Sequence, residues 1–149
     1  MERPTDMRPI YESETDLRNE RQIIDGLNEA WRTQSSKLPR SYGLDYALTR
    51  GGRVTAFVEI KCRTIPSWTY DTYMISLAKV LKAKSLGNNV EVPALLVVRW
   101  NDMVGYVDLR PVALDVQMGG RTDRGDAQDI EPVCMIPIKD FTPCMRPLL

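Results

Sequence analysis

The sequence predicts an α/β fold, a mixed central sheet of about five strands flanked by two helices. Three observations predict it. A helical stripe of apolar residues lies near the start, a Gly-Gly hairpin joins two alternating segments, and a strongly apolar run follows a second helical segment. At 149 residues the chain reads as a single domain over 1–149, long enough to bury a core.

Residues 1–12, with two prolines and mixed charge, read as an N-terminal arm. Residues 13–34 read as a helix, capped by Ser13 or Thr15, with Glu14 and Asp16 at the positive end of its dipole. Leu17, Ile24, Leu27 and Trp31 make its apolar stripe, and Glu20 falls inside that stripe. A carboxylate on a core-facing side is costly unless it is partnered. Residues 35–40 are a connector with room for a short first strand around Leu38. Tyr42 to Thr49 read as a strand with Leu44, Tyr46 and Leu48 on one face and Asp45 and Ala47 on the other. Arg50-Gly51-Gly52-Arg53 signals a hairpin turn. In the next strand, Val54 to Lys61, Thr55, Phe57, Glu59 and Lys61 share one face.

After a loop holding Pro66, Trp68 and Tyr70, Asp71 to Leu86 read as the second helix, with Met74, Leu77, Ala78 and Leu81 facing inward and Gly87 as its stop. Val92 to Trp100 is apolar enough for a central strand, and Met103 to Leu109 pairs back after an Asn-Asp turn. Residues 117–131 read as a polar, Gly-rich loop, and Val133 to Ile138 as a last short strand.

Composition narrows the chemistry. The chain has no histidine, which excludes Ser-His-Asp and Cys-His catalysis, histidine bases and His-ligated zinc. Its three scattered cysteines argue against a disulfide framework and an all-cysteine metal site. The longest apolar run, Val92 to Val98, falls far short of the ~20 residues that span a bilayer, and the polar N-terminus is no signal peptide. The expectation is a cytoplasmic protein with no membrane partner and no organic cofactor. The net charge of zero is an average: residues 37–84 hold nine bases and three acids, and both flanks are acidic. The basic centre suits a nucleic-acid partner.

The informative segment is Asp45, a hairpin, then Glu59-Ile60-Lys61. Glu59 and Lys61 share a face, the hairpin can bring Asp45 beside them, and Glu20 can arrive from the first helix. Crowded carboxylates call for a cation, and a hard one such as Mg²⁺ or Mn²⁺ fits oxygen ligands. A lysine next to a metal-bound water can orient it and stabilise developing negative charge. This is a kit for phosphodiester hydrolysis that needs no histidine.

These residues resemble the signature of the PD-(D/E)XK nuclease superfamily, the restriction-endonuclease-like fold, and the element order is similar over residues 13–109. Leu44 stands where the name-giving proline would be. The general character is similar to small phage-encoded members. The resemblance implies a metal-dependent DNA endonuclease in which Asp45, Glu59 and the Ile60 carbonyl bind Mg²⁺ or Mn²⁺ and Lys61 serves the water. Glu20 would hold a second metal or anchor the site, and Lys79 sits where some members place an auxiliary polar residue. Many members act as dimers, because two cuts need two sites; the sequence shows no dimer surface.

Other readings stand beside these. Glu59 and Lys61 would also suit a cross-strand ion pair on a solvated face, and Glu20 a pair with Arg21 or Lys61. Arg40, Arg50, Arg53, Arg63 and Lys82 are the candidate phosphate contacts, and Lys84 equally suits a solvated helix face. Arg121 and Arg124 suit phosphate or an ordinary loop. Trp68, Tyr70 and Tyr73 could stack on bases, while Tyr73 and Trp100 suit packing of the second helix. A non-catalytic nucleic-acid-binding or assembly protein that keeps the fold is the alternative function.

Overall fold

The computed structural model describes residues 14–120 and 130–145. It contains α1 (Glu14–Trp31), β1 (Gln34–Lys37), β2 (Tyr46–Arg50), β3 (Arg53–Cys62), β4 (Thr72–Ser76), α2 (Leu77–Val90), β5 (Ala94–Arg99), β6 (Val104–Asp108), β7 (Val116–Gly120), β8 (Ile130–Pro137) and β9 (Thr142–Met145). Six strands form the main sheet in the order β1-β2-β3-β5-β6-β9, and β4-β8-β7 form a second sheet. β3 and β5 run parallel; the other pairs are antiparallel. The α/β class with a mixed sheet and two helices is as expected, with one more strand in the main sheet and a second sheet besides.

Strand alternation sorts the core into two layers. Ala56, Val58 and Ile60 of β3, with Leu95 and Val97 of β5, pack with Ile23, Ile24 and Leu27 of α1. Phe57, Leu96 and Val98 pack on the opposite side with Val80 and Ala83 of α2 and with Tyr73, Ile75, Cys134 and Ile136 of the second sheet. Glu59 and Lys61 share the phase of Phe57, so they face the α2 side. That side is covered, as an apolar Phe57 beside the acids suggests.

Several elements differ from expectation for identifiable reasons. The predicted helix over 71–86 begins as strand β4: Tyr73 and Ile75 are buried and alternate with Thr72, Met74 and Ser76, a period of two. Ser76 then caps α2, its hydroxyl accepting from the Lys79 amide at 3.3 Å. This start rotates the helix, so Val80 and Ala83 are its buried face, and Leu81 is exposed. On α1, Ile23 takes a core place and Leu17 lies exposed. The loop expected over 117–131 is strand at both ends, β7 and the start of β8; 121–129, with Arg121 and Arg124, lie outside the described residues, as does the arm 1–12. Among the described residues, no helix is long and apolar enough to cross a membrane.

Gly87 does not stop α2. The helix runs on to Val90 and closes at Glu91, which adopts φ 61° and donates its amide to the Gly87 carbonyl. Gly87 is required by contact instead: a Cβ there would sit 2.9 Å from the Val92 carbonyl and 3.0 Å from the Arg110 side chain. Arg110 cannot easily give way, since Asp108 holds its guanidinium at 2.8 Å. Gly87→Ala is therefore expected to destabilise the fold by about 1–3 kcal/mol, although alanine is the better helix former. A lower urea midpoint at unchanged slope would show it.

Candidate active site

The site forms where the chain leaves the β2 ladder. A 3-10 turn at Arg40–Tyr42 ends at Gly43, whose φ of 81° breaks the strand expected from Tyr42 onward. The break shifts the phase of what precedes β2. Leu44 joins the α2-side core instead of sharing a face with Tyr46 and Leu48. It also frees the Asp45 side chain to act on the neighbouring strand: its Oδ2 accepts from the Ile60 amide at 2.8 Å. The Asp45 main chain is fixed too, donating to the Val58 carbonyl and accepting from the Leu38 amide. An aspartate so pinned is held in one place without help from a ligand.

Glu59 lies opposite, with 1% of its surface exposed. Lys79 of α2 reaches over it, donating to Oε1 at 3.2 Å and to the Gly43 carbonyl at 2.6 Å. Oε2 lies 2.9 Å from the same ammonium but outside hydrogen-bonding geometry, and no donor among the described residues serves it. Burial, and after it the Asp45 charge, push the Glu59 carboxyl up to about 7 against the opposing Lys79 and Lys61 charges. Lys61 is exposed at the rim of the same cleft, and its ammonium has no ion pair among the described residues.

Glu20, 7% exposed, pairs with Lys37 of β1 rather than with Arg21 or Lys61. Lys37 also lies 3.8 Å from Asp45 and over the Tyr46 ring at 4.8 Å. Burial lowers the Lys37 pKa, but the Glu20 hydrogen bond and the Asp45 charge outweigh it and raise it overall. Burial and the Glu20 charge push the Tyr46 hydroxyl up to about 12. One lysine thus ties the helix acid to the strand acid. Glu20, Asp45, Glu59, Ile60, Lys61 and Lys79 all line one open cavity of about 490 Å³. The sequence reading missed Lys37, in a segment read as connector. It also missed the break at Gly43, although an isolated glycine inside a strand pattern is itself a signal of irregular backbone.

Residues 6–144 match the family described as "Phage putative PDDEXK endonuclease". The chain belongs to this family. It is thereby a nuclease of the PD-(D/E)XK type, as the Asp45, Glu59 and Lys61 pattern implies. No curated protein matches the chain. Its fold is similar to that of Hjc, a Holliday junction resolvase from Archaeoglobus fulgidus, with a TM-score of 0.58 and 13% identity over 86% of this chain and 88% of that one.

Nucleases of the PD-(D/E)XK type use divalent metals, and the residues of this family member fit one. The donors are hard oxygens, and one of them, Glu59 Oε2, is buried without a hydrogen-bond donor among the described residues. Among the described residues no three acids or cysteines cluster tightly enough to hold an ion alone. An ion between Asp45 and Glu59 would complete its shell from a backbone carbonyl and water, which suits Mg²⁺, an ion that keeps several waters.

The candidate phosphate contacts divide by place. Arg40 lines the cleft, and the Lys82 stem packs on Gly43 beside it. The Arg63 guanidinium lies 4.8 Å over the Tyr73 ring, just past β3. Arg50 and Arg53 sit at the far end of the hairpin, roughly 26 Å from Lys61 along an extended strand. Arg50 there donates to the carbonyls of Trp31 and Arg32, closing the end of α1. Lys84 bonds the carbonyls of Arg110 and Val112, so it serves the fold.

Proposed function

We propose that the chain is a Mg²⁺- or Mn²⁺-dependent DNA endonuclease that hydrolyses phosphodiester bonds in the open cleft lined by Asp45, Glu59, Lys61 and Lys79. The observation that carries this reading is the buried Glu59, its Oε2 without a hydrogen-bond donor among the described residues, next to the pinned Asp45 in an open cleft. Asp45, Glu59 and the Ile60 carbonyl would hold the ion. When bound, it would supply a more acidic water and neutralise charge at the phosphate.

The protein's own groups then have distinct tasks. Lys61, exposed at the rim and without an ion pair among the described residues, orients the attacking water and meets the charge that develops on the phosphate. Lys79 opposes the upward shift of the Glu59 carboxyl, favouring its ionised form, and holds it by a hydrogen bond. Glu20 is a positioning residue, holding Lys37 toward Asp45. Arg40 and Lys82 flank the cleft, where they suit phosphates of the bound strand.

Plasmid, linear and branched DNA incubated with Mg²⁺ or Mn²⁺ tests this. Asp45→Asn and Lys61→Ala are each expected to lower the cleavage rate by at least about 10². Lys61→Ala should melt like wild type, because that side chain is exposed. Calorimetric titration with Mn²⁺ should show binding that Asp45→Asn weakens. Cleavage undiminished in both variants would overturn the assignment. Mn²⁺ binding without any cleavage would favour a non-catalytic nucleic-acid-binding protein that keeps the fold.

A further inference from the structure

A second cavity, of about 360 Å³, opens beside the cleft, between the β3–β4 loop and the second sheet. Its walls are mainly apolar, with Tyr70, Tyr73 and Trp100 among them and Arg63 at its lip. Its volume lies in the range of small-molecule sites, ~300–1,000 Å³. Three features single it out from an ordinary surface dent.

The first is the display of aromatic rings. Trp68 is 74% exposed and Tyr70 67% exposed on the same short loop. Neither ring gains much from folding, and adjacent exposed aromatic rings mark a binding surface. The second is that the loop is built rigidly. The Ser67 amide and hydroxyl donate to the two Asp102 oxygens at 2.7 and 2.6 Å, and Ile65 and Asp71 accept from the Asn101 and Ile138 amides. Asp102 is thereby occupied and leaves the cavity lip to Arg63. The third is register. Arg63 donates its amide to the Arg99 carbonyl, which prolongs β3, so it shares the phase of Glu59 and Lys61. Arg63 follows Glu59 by about 13 Å of extended strand, near four stacked nucleotide steps at ~3.4 Å. No acid among the described residues pairs with its guanidinium.

We propose that this cavity takes an unpaired nucleotide of the DNA substrate, its base against Tyr70 and its phosphate on Arg63. The inference rests on the nuclease reading and narrows it to DNA that carries a single-stranded flap or gap near the cut. A mainly apolar slot lined by a cation, Arg63, that directly follows the cleft-lining Cys62 in the chain, matches a base joined to a phosphate. A base inside a paired duplex would first have to leave its stack, at a cost of a few kcal/mol that an unpaired base does not carry.

The test is fluorescence anisotropy in EDTA, comparing a fully paired duplex with the same duplex bearing a short single-stranded flap. Wild-type protein is expected to bind the flap DNA about tenfold tighter or more. Tyr70→Ala should bring that ratio within about twofold, and Tyr70→Phe should keep it, because the ring does the stacking. A wild-type ratio near one overturns the proposal. So does an equal loss on both DNAs in Tyr70→Ala, or a change in sedimenting mass alone, which would make the cavity a contact between copies. A parallel cleavage assay with Mg²⁺ separates the two readings. A flap preference in binding with no cleavage of any DNA leaves the cavity standing and removes the nuclease. Cleavage without the preference does the reverse.

Discussion

Glu59→Gln is expected to abolish cleavage and, at the same time, to stabilise the metal-free protein at pH 8 by about 3 kcal/mol. The second effect follows from the displaced titration. Burial holds the Glu59 carboxyl at about 7 in the folded protein, against about 4.5 when unfolded. A tenfold change in proton affinity is worth about 1.4 kcal/mol, which sets the size of the effect. Between those two values the folded state keeps a proton that the unfolded state has lost. Stability therefore falls as pH rises from about 4.5 to about 7, then levels off. Glutamine resembles the protonated acid, so the variant should lose this slope: near wild type at pH 4.5, and more stable at pH 8. Urea unfolding in EDTA at the two pH values checks it. Divalent metal should reverse the order. At a hundredfold excess over its Kd an ion adds about 2.7 kcal/mol to the wild type, and much less to a variant lacking one ligand charge. A Glu59→Gln protein no more stable than wild type at pH 8, and equally stabilised by Mn²⁺, would show that this carboxylate is neither strained nor a ligand.

Such a carboxylate could be found in the sequence because its neighbours betray it. Glu59 and Lys61 alternate with Phe57 on one strand face, and Phe57 is too apolar for an open surface; α2 covers it. Glu20 interrupts an apolar stripe, and it is buried. These are local periodicities, which survive folding when the element itself is regular. What was not legible depended on breaks and on long-range pairing. Leu44 changes face because Gly43 turns the chain, which alternation alone cannot register. β4 hid inside a helical pattern, since Met74, Leu77, Ala78 and Leu81 also satisfy a helical spacing. Lys37 lies on a four-residue edge strand, QSSK, with no apolar pattern to announce it. Yet it joins Glu20 to Asp45 through pairings seventeen and eight residues apart, a relation that exists only once β1 lies against β2.

Lys79→Met is expected to have the largest effect on stability, and its sign depends on Glu59. In the wild type the Lys79 ammonium is the only cation in contact with the buried carboxylate among the described residues. Removing one partner of a buried pair leaves an uncompensated charge, a loss of about 3–5 kcal/mol. That is a large share of a typical total of about 5–15 kcal/mol. With the opposing charge gone, the Glu59 carboxyl moves further up. The deficit should therefore be greatest at pH 8 and should shrink as the pH falls and the carboxyl takes up its proton. The double variant Glu59→Gln/Lys79→Met separates charge from packing. No buried charge remains in it, so at pH 8 it should regain the loss and lie only about 1 kcal/mol below Glu59→Gln, for the Gly43 carbonyl that loses its donor. Urea unfolding of the four proteins at pH 5 and pH 8 gives the coupling. A coupling that is strong at pH 8 and weak at pH 5 places the ion pair, rather than the packing of the lysine stem, at the origin of the effect. Additive losses that are equal at both pH values would mean that Lys79 acts on the fold through its stem and Gly43 alone. In that event it would not be the residue that keeps Glu59 ionised for a metal.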